Sequence, residues 1–287
     1  MHQVALELAG LRIRVRTNSP DGITNASHRF GAYLLADADE AYDLSLDVTI
    51  DAELSTPSLT DEPVEYPGVE TATHEDGSVE FRRHDLRMEL DSSRTRARVT
   101  VRPSLATHLP TKDPTPLDTP LRLLLASALP KRDGLLLHAS GYADARGAIL
   151  FAGESGAGKT TTALKLPHEN VLSDDQIAVR RVDGTWVAWS LPMVGRYGRP
   201  TESHHARLRT ILLLRKSDGA PAVTSIRGAD ALVGLARCVC RFEGHDSSAH
   251  GFLALVASLA SEVDVATLAL SKDAELLALV AELLGPW

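Results

Sequence analysis

Apolar and polar positions alternate with a period of two through most of the first hundred residues. Residues 4–8 and 11–16 each alternate, and Ala9-Gly10 separates them, which predicts a hairpin. Residues 43–50 alternate over their whole length, the mark of a half-buried strand. Val79–Arg83, Leu86–Leu90 and residues 97–101 continue the pattern, and Asp91-Ser92-Ser93-Arg94 supplies a turn before the last of them. Residues 54–75 are rich in Pro, Thr and Glu and predict a long exposed loop. These segments predict a β-rich domain of antiparallel strands over residues 1–116.

The pattern then changes. Residues 107–120 are proline-rich and poor in large apolar side chains, so they read as a connection. Leu121, Leu124, Leu125 and Ala128 recur at helical spacing, with Asp118 or Thr119 as cap and Pro120 at the first helical position. Beyond Pro130 and Gly134 come two apolar runs, 135–143 and 148–152, joined by the turn Asp144-Ala145-Arg146-Gly147. Residues 160–166 predict a short helix stopped by Pro167. Residues 171–175 predict a strand ending in acids, and 177–182 with 185–189 a hairpin about Asp183-Gly184. A strand at 208–214, helices at 229–239, 249–259 and 274–284, and a last strand at 263–270 complete an α/β domain over residues 117–287. No internal repeat is visible.

Composition narrows the function classes. The chain has 287 residues, a net charge of −8 and 44% apolar residues, ordinary for a globular protein with ample core. It lacks the basic run expected of a dedicated nucleic-acid binder. The two cysteines, Cys238 and Cys240, are one residue apart and point away from each other on either a helix or a strand, so they read as thiols rather than a disulfide or zinc site. The N-terminus reads as a strand, not a signal peptide, and the apolar run 121–129 contains Arg122 and is too short for a bilayer. The expectation is a cytoplasmic protein without membrane association.

One stretch carries specific chemistry. Gly153-Glu154-Ser155-Gly156-Ala157-Gly158-Lys159-Thr160-Thr161 fits the Walker A pattern, with an apolar strand before it and a helix after it. Glycines let backbone N–H groups turn inward around phosphates without a Cβ in the way. Lys159 is placed to reach the β- and γ-phosphates of ATP, and the Thr160 hydroxyl to ligate Mg²⁺. Ser173-Asp174-Asp175 ends the next predicted strand, where one carboxylate can hold Mg²⁺ and the other accept a proton from an attacking hydroxyl. His138 lies on the strand before the turn into the loop strand, where a histidine is as readily a core residue as a functional one.

The stretch from Leu135 to Val179, LLHASGYADARGAILFAGESGAGKTTTALKL followed by VLSDDQIAV, resembles the catalytic domain of HPr kinase/phosphorylase and its HPr-kinase-like relatives. The resemblance implies a P-loop kinase core of the HPr-kinase and phosphoenolpyruvate-carboxykinase type, with a mixed sheet. It implies that Lys159 and Thr160 are the phosphate lysine and the metal hydroxyl, that Asp175 is the catalytic base, that Asp174 lies near the metal and that His138 lies close to the phosphates. The family's later Glu and Ile-Arg-Gly-Leu-Gly motif is missing; residues 191–200 read LPMVGRYGRP instead. The resemblance therefore does not carry over the phosphorylase reaction or HPr as substrate.

Arg196, Arg199, Arg207 and Arg209 follow the hairpin, and any of them is a candidate to neutralise a transferring phosphoryl group. His204-His205 reads as an exposed pair rather than a metal site. The leading expectation is an ATP- and Mg²⁺-dependent kinase acting on a hydroxyl, and the resemblance implies a serine of a protein or precursor peptide as the acceptor. The alternatives are a kinase of a small-molecule hydroxyl and a non-catalytic ATP-binding switch or assembly module. A GTPase would need a base-reading segment that is absent: Ser271-Lys272-Asp273 lacks its spacing. The resemblance also allows a homo-oligomer.

Overall fold

The computed structural model describes residues 1–20, 30–36, 41–54, 68–102, 117–193, 203–219, 221–242, 249–270 and 276–284. It is mixed α/β, with two mixed sheets and several helices. The chain divides into two compact units, Met1–Lys131 with Arg241–Asp246, and Arg132–Cys240 with Ser247–Trp287.

The first unit holds β1 (His2–Leu8), β2 (Leu11–Thr17), β3 (Leu44–Ile50), β4 (Glu70–Thr73), β5 (Val79–Arg83), β6 (Leu86–Leu90) and β7 (Arg96–Val101). They form one sheet in the order β1-β2-β3-β7-β6-β5-β4. The expectation of antiparallel strands holds for the hairpin and the β4–β7 meander but fails in the middle. There β3 runs parallel to both β2 and β7. Alternation reports that one face is buried; it does not report direction. The connection 18–43 is long enough for the crossover that the parallel pair β2 and β3 needs, and the chain passes through β4, β5 and β6 before β7 returns beside β3. One face of this sheet is apolar, with Leu6, Ile13, Val15, Leu46, Val48, Phe81, Met88 and Val99 buried. Helix α1 (Asp118–Ala128) packs on β3, and its Leu121, Leu124 and Leu125 are fully buried. It begins at Asp118, one of the two expected caps, with Leu117 in the cap position, so Pro120 is its third residue, still within the first turn, where no N–H is required. This helix belongs to the first unit, so the division falls after it rather than at 116/117.

The second unit holds β8 (Gly134–Asp144), β9 (Gly147–Ala152), α2 (Lys159–Leu164), β10 (Val171–Ser173), β11 (Gln176–Val182), β12 (Thr185–Trp189), β13 (His205–Lys216), β14 (Ala222–Ser225), α3 (Gly228–Cys238), α4 (Ala249–Glu262), β15 (Asp264–Leu270) and α5 (Leu277–Leu284). β8 is long enough to serve three neighbours, with β10 also pairing along its second half. Its first half pairs with β11, and its second half pairs with β9. β9 then runs parallel to β13, and β13 parallel to β15, with β14 on the antiparallel edge. The continuous apolar runs of β8 and β9 follow from burial on both faces. Leu135, Leu137, Leu150 and Ile211 pack with Leu235 of α3 and Val256 of α4. Ile149, Phe151, Leu212 and Leu268 pack on the other face with Val280 of α5. β13 is longer than expected because residues 205–207 also pair with β12. The edge strands β4 and β14 lack a buried face to mark them; all four residues of β14 are exposed.

The core of the expected loop at 54–75 (residues 55–67), Gly195, Arg196, Gly198, Arg199 and residues 271–273 lie outside the described residues. Among the described residues no helix is long and apolar enough to cross a membrane.

Candidate active site

The loop begins where β9 ends. The Gly153 N–H donates to the His138 carbonyl at 3.3 Å, so its first residue is tied to the middle of β8. A Cβ on Gly153 would stand 2.7 Å from that of Ala157, so the loop doubles back too tightly for any side chain there. Gly156 and Gly158 have φ of +80° and +112°, conformations that favour glycine, and both face open space. The Ala157 N–H donates to the Glu154 carbonyl, closing the turn. Glu154, Ser155 and Gly156 are exposed at the tip, Thr160 is half-buried and Thr161 is exposed in the first turn of α2.

Lys159 is buried inside this loop. Its Nζ donates to the carbonyls of Gly153 at 2.8 Å and Glu154 at 3.0 Å. Burial pushes its ammonium below the ordinary lysine range, and the nearby Asp175 carboxylate pulls partly the other way. The thiol of Cys238, at the end of α3, is buried near the same ammonium, and desolvation pushes it up to about 11. Neither Cys238 nor Cys240 is in a disulfide. The Thr162 hydroxyl donates to the Gly158 carbonyl at 2.9 Å and fastens the loop's last glycine to the helix.

The two acids lie past the end of β10, not within it as expected. Ser173 organises them. Its buried Oγ accepts the N–H groups of Asp175 and Gln176, each at 3.3 Å. The Asp175 carbonyl accepts the Ala139 N–H at 3.0 Å, and Gln176 pairs with His138 across β11 and β8. The His138 Nε2 therefore reaches Asp175 Oδ1 at 2.9 Å. An ionised carboxylate only accepts, so Nε2 carries the proton. His138 thus touches both halves of the site, the loop through its carbonyl and the acids through its ring. Asp174 is buried beside Asp175.

The structure brings His138, Gly153, Lys159 and Asp175 together. It does not bring Arg207 there. Arg207 and Arg209 lie at the start of β13, where Leu208 pairs with Ala148; the loop lies at the other end of β9, where Leu213 pairs with Ala152. His204 and His205 are exposed, and His205 stacks on Trp189 with ring centroids 4.4 Å apart. Sequence reading gave Ser173 no role, although its place two residues before Asp175 is the spacing of a side-chain turn. Nothing local in the sequence marks the approach of Cys238 to Lys159, which depends on how α3 packs.

Among the described residues no group of three or more His, Cys, Asp or Glu side chains gathers as a metal cluster. An ion such as Mg²⁺ takes one or two protein ligands and completes its shell with phosphates and water. Thr160 and Asp174 are of the right chemistry for that share. No family model matches the chain, and no curated protein matches it.

Proposed function

We propose that the chain is an ATP- and Mg²⁺-dependent kinase of the HPr-kinase-like kind, with a P-loop kinase core, that phosphorylates a hydroxyl, most simply a serine of a protein or precursor peptide. The observation that carries this reading is the 2.9 Å contact of His138 with Asp175, made by a residue whose carbonyl also receives the first N–H of the glycine loop. An acid oriented beside a phosphate-binding loop is what transfer to a hydroxyl needs. A module that only binds nucleotide needs no base for an acceptor hydroxyl.

When bound, ATP supplies the γ-phosphoryl group and Mg²⁺ offsets its charge. The amides of residues 153–158 cradle the phosphates, with Gly156 and Gly158 leaving the space open. Lys159 gives up its contacts with the carbonyls of Gly153 and Glu154 and turns its ammonium to the phosphate oxygens. Thr160 and Asp174 would hold the metal. Asp175 accepts the proton of the acceptor hydroxyl as the new oxygen–phosphorus bond forms and the bond to the bridging oxygen breaks, with ADP as leaving group. His138 holds Asp175 in one orientation through its Nε2–H.

ADP release from Mg-ATP, measured with serine-containing peptides and small alcohols as acceptors, tests this. The expected result is acceptor-dependent turnover that Asp175→Asn lowers about 10²–10⁴-fold while nucleotide binding persists. Tight nucleotide binding without transfer to any acceptor refutes the kinase reading in favour of a switch.

A further inference from the structure

At the end of the second unit's sheet remote from the loop lies a cavity of about 600 Å³. Its walls come from the start of β13, the link between β14 and α3, and the junction of α4 with β15. That volume is within the range of small-molecule pockets, about 300–1,000 Å³. Arg207, Arg209 and Arg227 line it. Among the described residues these three guanidinium groups make no hydrogen bond or ion pair. Some arginines elsewhere in the chain are paired: Arg16, Arg83 and Arg146 are each held by a carboxylate. In a chain of net charge −8, carboxylates are plentiful, so three unpaired arginines around one cavity form a local reversal of sign.

The acids in the cavity wall do not cancel them. Glu262 is already engaged, accepting the Ser258 hydroxyl at 2.6 Å and pairing with Arg181 at 3.1 Å. That leaves Asp264 as the remaining acid of the lining against three cations.

Two features aim the arginines. Arg209 is the extra residue of a β-bulge, because Leu208 and Thr210 pair with the consecutive residues Ala148 and Ile149. A bulge redirects a side chain out of the regular pleat. The Arg209 stem also lies across Gly147, so closely that a Cβ there would come within 2.6 Å of its Cγ. The segment carrying Arg227 is tied to β15 by the Ile226 N–H donating to the Val265 carbonyl at 3.0 Å. Four steps along β9 separate this end from the loop, a strand length of about 13 Å, so the loop's own phosphates do not reach it.

We propose that this cavity is a second anion site, separate from the nucleotide loop, that takes a small phosphorylated ligand. Planar guanidinium forks from two walls, the start of β13 and the link before α3, match the several oxygens of a phosphate group, with charge-assisted hydrogen bonds on each. A cavity of this size holds a small molecule rather than a folded partner.

Calorimetric titration of pyrophosphate into the full chain, without nucleotide or Mg²⁺, tests the proposal. The wild type is expected to show two classes of site. Lys159→Ala removes the loop site and leaves the other. The double variant Arg209→Ala/Arg227→Ala weakens the remaining site by about tenfold or more, as loss of charge-assisted bonds requires. Both arginines are exposed, and an unchanged thermal melt confirms that the variant folds. A single class of site that disappears in Lys159→Ala, or unchanged binding in the double variant, overturns the proposal. If Lys159→Ala changes nothing while the double variant abolishes binding, the arginine site stands and the nucleotide reading falls.

Discussion

His138 and Asp175 are 37 positions apart, and the contact between them forms because β11 pairs with the first half of β8. The identity of the loop residues was legible in the sequence because spacing along a single turn decides it. Gly156 and Gly158 adopt the positive φ values that the motif's glycines are there to permit. Of the candidate arginines, Arg207 and Arg209 lie away from the loop, because nearness in sequence says nothing of which end of a strand a residue occupies. Cys238 gives a test at this scale. Its thiol is buried and pushed up to about 11, whereas Cys240 is half-buried. Near neutral pH Cys238 is a thiol and not the reactive thiolate. Iodoacetamide at pH 8 should therefore label Cys240 ahead of Cys238, as peptide mass spectrometry would show. Faster labelling of Cys238 would mean that α3 does not seal it against β8.

At the scale of elements, the apolar runs of β8 and β9 announced strands buried on two faces. The direction of β3 was not announced, because period-two patterning is blind to direction. β4 and β14 escaped notice because neither buries enough to leave a pattern. The central strand β13 is flanked by parallel neighbours and has Leu212 fully buried beneath α5. Leu212→Ala should cost about 2–5 kcal/mol in urea denaturation, from lost burial and the cavity left behind. The turn joining β8 to β9 gives a pH test. Burial raises the affinity of Asp144 for its proton, but hydrogen bonds and charge from Arg146, at 2.6 Å, outweigh it and hold the carboxyl below the ordinary range. A carboxyl with a lowered folded-state pKa contributes stability above its unfolded value, about 3.9, and loses it as pH falls through the folded value. The stability gap between wild type and Asp144→Asn should therefore be full at pH 7 and close below about pH 4. A gap that widens in acid would contradict the assigned pairing.

At the scale of the whole molecule, one sheet carries both charged sites, the glycine loop at one end of β9 and the three arginines at the other. The sequence disclosed the first through a contiguous motif. The second was hidden because its arginines come from segments that only the pairing of β13 with β15 and the packing of α3 bring together. The division into units was half legible: the proline-rich stretch marked a boundary, but α1 turned out to complete the first unit's core rather than open the second. The central claim concerns what the loop, His138 and Asp175 do as one site. The most direct measurement is mass spectrometry of serine-containing peptides incubated with Mg-ATP and either wild type or Asp175→Asn. The account predicts a phosphoryl group on a serine hydroxyl with wild type, and a rate about 10²–10⁴-fold lower with Asp175→Asn, as loss of a general base entails. Equal phosphorylation by the two proteins would contradict it.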